Sequence, residues 1–171
     1  MEEKFTGYFE AGELETELWR QLKKRGWTIT TVESCTGGAV AARIVNVAGA
    51  SDILRQAYVT YCDEAKNRLA GVRWETLEKY TAVSRETAGE MALGGAEAAE
   101  ADVALSVTGL AGPGGGTEEK PVGLVYIGCA IHGQVRVREL HLQGSRGRIR
   151  EQAAEAALSL ALEMLLSQHF H

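Results

Sequence analysis

Leucines at 14, 18 and 22 recur at the spacing that lines one face of a helix, in a segment that ends near Lys24 and has Gly26 as its stop. Trp27–Val32 follows a different pattern. It is short and β-branched, which predicts a buried strand running straight into Glu33, Ser34, Cys35, Thr36, Gly37 and Gly38. Helical composition resumes over Ala39–Val45. A second strand is expected at Ala57–Tyr61, followed by short helices at Asp63–Ala70 and Glu75–Tyr80. Ser84 stands as an N-cap before an alanine-rich helix reaching about Glu100, whose Gly94 and Gly95 cost helix propensity and mark close packing against a neighbour. Asp102–Val107 predicts a third strand and Thr108–Pro121 a glycine-rich loop. Gly123–Ile131 and Gln134–Leu142 form a hairpin about His132 and Gly133, and an amphipathic helix from Arg146 to Leu166 closes the chain.

Strands interleaved with helices, some of them nearly unbroken apolar runs, predict an α/β fold: a three-layer α/β/α sandwich with both sheet faces covered. The adjacent final strands make that sheet mixed. With 171 residues and 45% hydrophobic side chains, the chain suits one core, so we read a single domain over 1–171, with its core at about 14–166 and frayed ends.

The net charge of -5 lacks the broad cationic field of a nucleic-acid-binding protein, so no nucleic-acid partner is expected. Cys35, Cys62 and Cys129 form neither a CxxC pair nor a zinc cluster, which suits reduced thiols and no metal. The N-terminus has no apolar leader and no run is long enough for a membrane span. A soluble, cytoplasmic protein without membrane attachment is expected.

The junction TVESCTGG, Thr31–Gly38, places a hydroxyl and a thiol where a strand ends and a helix begins. Unsatisfied N–H groups there suit a phosphate or a developing oxyanion, and Gly37 and Gly38 admit a ligand to the backbone. The same residues also fit an ordinary helix cap by Ser34 or Thr36. A serine needs a base, and the histidines are poorly placed for it: His169 and His171 near the chain end, His132 in the hairpin turn, His141 in a strand away from any motif. Lysine substitutes when desolvation lowers its pKa. Lys66 in YCDEAK is the candidate, five positions after Tyr61, although a solvated lysine and a core aromatic fit the spacing equally well. Cys35 is a rival nucleophile.

The second glycine-rich segment, SVTGLAGPGGGTEEKPVG at Ser106–Gly123, also follows a strand, and two such loops can flank one crevice. It is neither a Walker A loop nor a GxGxxG fingerprint. Arg146, Arg148 and Arg150 crowd the start of the last helix, where cations oppose the helix dipole and an anionic partner would explain them.

Three blocks in order, ESCTGG at Glu33–Gly38, Thr60 and Tyr61 with Glu64–Lys66, and TGLAGPGGGTEEKPVG at Thr108–Gly123, resemble the C-terminal domain of CinA, the competence/damage-inducible protein, over about Leu14–Leu166. The resemblance implies an α/β/α fold and a cofactor-free, metal-free amidohydrolase that converts nicotinamide mononucleotide and water to nicotinate mononucleotide and ammonia. It implies Ser34 as nucleophile, Lys66 as base and Tyr61 as an aid to the lysine. Cys35, Thr36, Gly37, Gly38, Thr108, Gly109, Gly114 and Gly115 would surround the substrate, with Arg146 or Arg150 on its phosphate and backbone N–H groups near Thr36 and Gly37 as oxyanion donors. With the apolar final helix, the resemblance also points to a homo-oligomer. Larger members carry a further N-terminal domain, for which this chain has no room.

Two departures stand out: Cys62 and Asp63 replace the usual serine and asparagine, and Ser145 replaces the aspartate of a GDR motif. They leave two alternatives open, a catalytically degenerate nucleotide-binding or assembly module and an amidase for another small carboxamide.

Overall fold

The structure, a computed structural model, describes residues 12–167; the expected frayed ends and the C-terminal histidines lie outside them. Helix α1 (Glu13–Arg25) buries Leu14, Leu18 and Leu22 and stops at Gly26, whose left-handed φ of 67° lets the chain turn back to the carbonyls of Leu22 and Lys23. Strand β1 (Ile29–Glu33) is buried at every position because it lies inside the sheet. Helix α2 (Ala39–Val45) and a short 3-10 turn (Ala50–Asp52) lead to β2 (Tyr58–Val59), then α3 (Asp63–Ala70), α4 (Trp74–Tyr80) and α5 (Arg85–Ala99). Strands β3 (Val103–Gly109), β4 (Leu124–Ile131) and β5 (Gln134–His141) precede α6 (Arg146–Ser167).

The sheet order is β2-β1-β3-β4-β5. Strand β1 runs parallel to both neighbours, with Thr31 opposite Leu105 on β3, whereas β4 is antiparallel to β3 and β5. The sheet is therefore mixed, as expected. Helices α1, α2 and α6 pack on one face and α5, with α3 and α4 against it, on the other. The larger apolar cluster joins α1 and α6 to the sheet; a smaller one places Val32 with Ala70, Val72, Leu77 and Met91.

Gly94 and Gly95 do mark close packing. A Cβ at Gly94 would lie 1.7 Å from the Ala70 carbonyl oxygen, and one at Gly95 2.2 Å from Val32 Cγ2. Strand β2 is shorter than expected, because it is an edge strand pairing only at Val32–Tyr58 and Glu33–Val59 before the chain leaves the sheet. At the other edge, Arg136 and Arg138 of β5 pair with Glu163 of α6, and the charges blunt that edge. The apolar side of α6, from Ile149 to Leu165, is buried within its own chain, so it no longer argues for assembly. The carboxyl ends of β1 and β3 open on the same side, where open α/β sheets receive ligands.

Candidate active site

Ser34 sits one residue beyond β1, its N–H donating to Val107 O at 2.9 Å, so the ladder with β3 fixes the backbone that carries the hydroxyl. The chain then turns through Gly37 and Gly38, at φ 59° and 102°, a region that side chains with a Cβ rarely adopt. Neither Ser34 nor Thr36 caps α2, contrary to the simplest expectation: Gly38 occupies the cap position without a side-chain bond. The cap is Glu33. Its carboxylate accepts from Gly38 N (3.2 Å), Val40 N (2.8 Å), Ala41 N (3.0 Å) and Thr31 Oγ1 (3.0 Å), and the side chain is only 1% exposed. A buried charge is tolerated here because four donors replace its water.

That arrangement changes what the turn can bind. The positive end of α2 is spent on Glu33 and is closed to a phosphate. Gly37 N–H donates to Ser34 O at 3.0 Å and is not an oxyanion donor; the N–H groups of Cys35 and Thr36 make no backbone–backbone bond among the described residues. From outside, Arg150 donates to Cys35 O and Thr36 O, both at 2.9 Å, and clamps the turn.

Lys66 approaches Ser34 from α3. Its side chain is 1% exposed, which overturns the picture of a solvated surface lysine. Nζ lies 2.8 Å from Thr60 O and 3.2 Å from Ser34 Oγ. Burial pushes the amine below the ordinary lysine pKa; Asp63, then Cys62 and Cys35, oppose the shift without cancelling it. The added carboxylate at position 63 therefore weakens the lysine's shift toward neutrality but does not reverse it.

A cleft of about 240 Å³ surrounds the pair, lined by Ser34, Cys35, Tyr61, Asp63, Lys66 and Arg146. Its other walls are Ala82 and Val83, together with the glycine-rich loop at Thr108–Gly112 and Gly114. Thr108 Oγ1 donates to Ala82 O at 2.7 Å and ties these walls together. Thr36, Gly37, Gly38, Gly115 and Arg150 are not among the residues that line the cleft; Gly37 and Gly38 shape the turn beside it and Arg150 clamps that turn. Tyr61 is no core aromatic. It is 60% exposed, and its hydroxyl accepts from Arg146 Nη2 at 2.9 Å, with no bond to Lys66. Arg146 also donates to Gly112 O at 2.7 Å, joining α6 to the glycine-rich loop.

Cys35 lies in the same cleft, yet burial pushes its thiol up to about 11, which disfavours the thiolate that a cysteine nucleophile needs. His141 pairs with Glu139 on the far edge strand and His132 with Asp102 at the hairpin, so neither reaches Ser34. No cluster of His, Cys, Asp or Glu suited to a metal occurs among the described residues. Sequence reasoning missed Glu33, Ala82 and Val83. The signal for Glu33 is an acid at the last strand position, just before the glycines that open α2.

Among the described residues no helix is long and apolar enough to cross a membrane. The family model for the CinA C-terminal domain matches residues 11–165. A CinA-like protein of Kosmotoga olearia is 52% identical over 153 residues, covering 90% of this chain but only 37% of that protein, so the chain spans a little over a third of its relative's length. Among solved structures, the competence damage-inducible protein A of Klebsiella pneumoniae superposes with a TM-score of 0.90 at 36% identity, covering 94% of this chain and all of the other. The competence/damage inducible protein CihA of Agrobacterium tumefaciens gives 0.86 at 37% identity over 95% of this chain and all of the other.

Proposed function

The chain belongs to the CinA C-terminal domain family, and from that premise we propose that it is an amidohydrolase converting nicotinamide mononucleotide and water to nicotinate mononucleotide and ammonia through Ser34 and Lys66. The observation that carries the proposal is the buried amine of Lys66, 3.2 Å from Ser34 Oγ, with its pKa lowered by burial.

In its neutral form Lys66 donates one N–H to Thr60 O and turns its lone pair to Ser34. The hydroxyl proton passes to Nζ as Oγ attacks the carboxamide carbon. The resulting ammonium returns that proton to the departing nitrogen, the C–N bond breaks, and ammonia leaves an ester on Ser34. A water, deprotonated by the same amine, then releases the carboxylate. The N–H of Cys35, which lines the cleft and makes no backbone–backbone bond among the described residues, is the candidate oxyanion donor, a role that contributes on the order of 3 kcal/mol per bond. Tyr61 contributes to the wall, beside a base already oriented by Thr60.

Purified protein incubated with nicotinamide mononucleotide is expected to release ammonia, and Ser34→Ala to release none. Full turnover by that variant would overturn the assignment. One observation favours a second substrate class: Arg146 is committed to Gly112 and Tyr61 rather than free for a phosphate, and the cleft is small. Equal rates for nicotinamide, its riboside and its mononucleotide would select an amidase for simpler carboxamides. Tight binding of the mononucleotide without ammonia would select a degenerate binding module.

A further inference from the structure

Ala82 and Val83 line the cleft around Ser34, in a segment, 80–83, that leaves α4 and is not part of any strand. Four successive carbonyls there need partners that no ladder supplies. Thr81 O accepts from Ser84 Oγ (3.1 Å) and Thr87 Oγ1 (2.7 Å), and Ala82 O from Thr108 Oγ1. The remaining two, Tyr80 O (3.0 Å) and Val83 O (2.7 Å), accept from one side chain, the ammonium of Lys120, which also donates to Thr81 Oγ1 at 2.7 Å. All three ammonium protons are thereby used.

Lys120 is itself held in place. It closes a turn at the end of the glycine-rich loop, its N–H donating to Thr117 Oγ1 (3.0 Å) and its carbonyl accepting from Thr117 N (2.8 Å). The segment it grips needs holding: Thr81 lies at φ 68°, left-handed for a β-branched residue, at the C-terminus of α4. A cation there also favours the last carbonyls of the helix.

We propose that Lys120 is a positioning residue, whose ammonium locks the glycine-rich loop to the Tyr80–Val83 wall and so fixes the width of the cleft in which the amide meets Ser34. The inference rests on the amidase reading of that cleft. Lys120 does not itself line the cleft and makes no bond to Ser34 or Lys66; it reaches the cleft through the carbonyl of Val83.

The test is Lys120→Met, of similar length without donors, beside Lys120→Arg, in the full chain. Lys120→Met is expected to fold with an unchanged circular dichroism spectrum and to lose on the order of ten- to a hundredfold in kcat/KM for nicotinamide mononucleotide, mostly through KM. Amide exchange at Ala82–Ser84 should rise at least severalfold, and Lys120→Arg should recover part of both. A loss that vanishes at high salt would show a mere field effect of the charge, and would overturn the proposal. So would unchanged exchange at Ala82–Ser84. If the unsubstituted protein releases no ammonia from any carboxamide, the amidase reading fails separately, while the exchange measurement still decides whether the tether exists.

Discussion

A large groove and the cleft around Ser34 are different places. A groove of about 1150 Å³ lies between α1, α2 and α6, lined by Glu15, Arg43, Arg148, Arg150, Glu151 and Glu155 among others. Its arginines are already engaged: Arg43 with Glu15 and Glu155, Arg148 with Glu151, Arg150 with the carbonyls of Cys35 and Thr36. The cleft around Ser34 has about a fifth of that volume, yet it holds a buried amine beside a hydroxyl. Volume measures what can enter. A pair whose protonation is shifted by burial marks where a bond can be broken.

The largest effect that would break this contrast comes from the pair itself. Lys66→Met is expected to lower kcat/KM by on the order of a thousandfold or more, whereas Ser159→Ala in the groove should leave it within about twofold. Assays of ammonia release on both variants decide it; comparable losses would move the chemistry to the groove.

Next is Glu33→Gln. An amide cannot accept at both positions where the carboxylate does, so at least one of the Gly38, Val40, Ala41 and Thr31 donors loses its partner. A destabilisation of about 2 kcal/mol by urea titration and a fall of roughly tenfold in kcat/KM at full folding are expected.

A smaller effect has the opposite sign. Asp63 favours the ammonium form of Lys66, so Asp63→Asn should lower that pKa further. The base works when neutral, so activity is low below its pKa and rises through it; the acid limb of kcat/KM should move to lower pH, raising the neutral-pH rate severalfold, since each unit is about tenfold in the active fraction. An unmoved limb would mean that the limb does not report Lys66. The same shift has a stability counterpart. Unfolding takes up a proton between the lowered folded pKa and 10.5, so stability should rise with pH across that window, and this slope should be absent in Lys66→Met.

Within the cleft, the smallest change expected is Cys35→Ala. With its thiol pushed up to about 11, Cys35 supplies little thiolate, and kcat/KM should stay within about threefold.

Much of the fold was legible because it is written locally. The leucines of α1, the Ser84 cap whose hydroxyl accepts from Thr87 N, and the paired glycines of α5 each state a requirement within a few residues. The site is legible only in part. Ser34 announces itself at a strand end, but Lys66 is buried by contacts across the chain that no helical period records, and only the resemblance of its motif singled it out. Arg150 looked like a phosphate ligand because cations at a helix start seek an anion; two carbonyls 114 and 115 residues away satisfy it instead. The composition carries β2 through Tyr61, where a core aromatic fits as well as a site residue, whereas the edge strand stops at Val59 and leaves Tyr61 exposed. Lys120 bonds a segment about forty residues upstream, at a distance beyond any local pattern.

Activation of Ser34 requires an amine at Lys66 that gives up its proton more readily than an ordinary lysine. Carbon NMR of protein labelled at lysine Cε, titrated against pH, reads this directly. One lysine resonance should titrate below the normal range and disappear in Lys66→Met; a Lys66 resonance titrating with the surface lysines would contradict the mechanism.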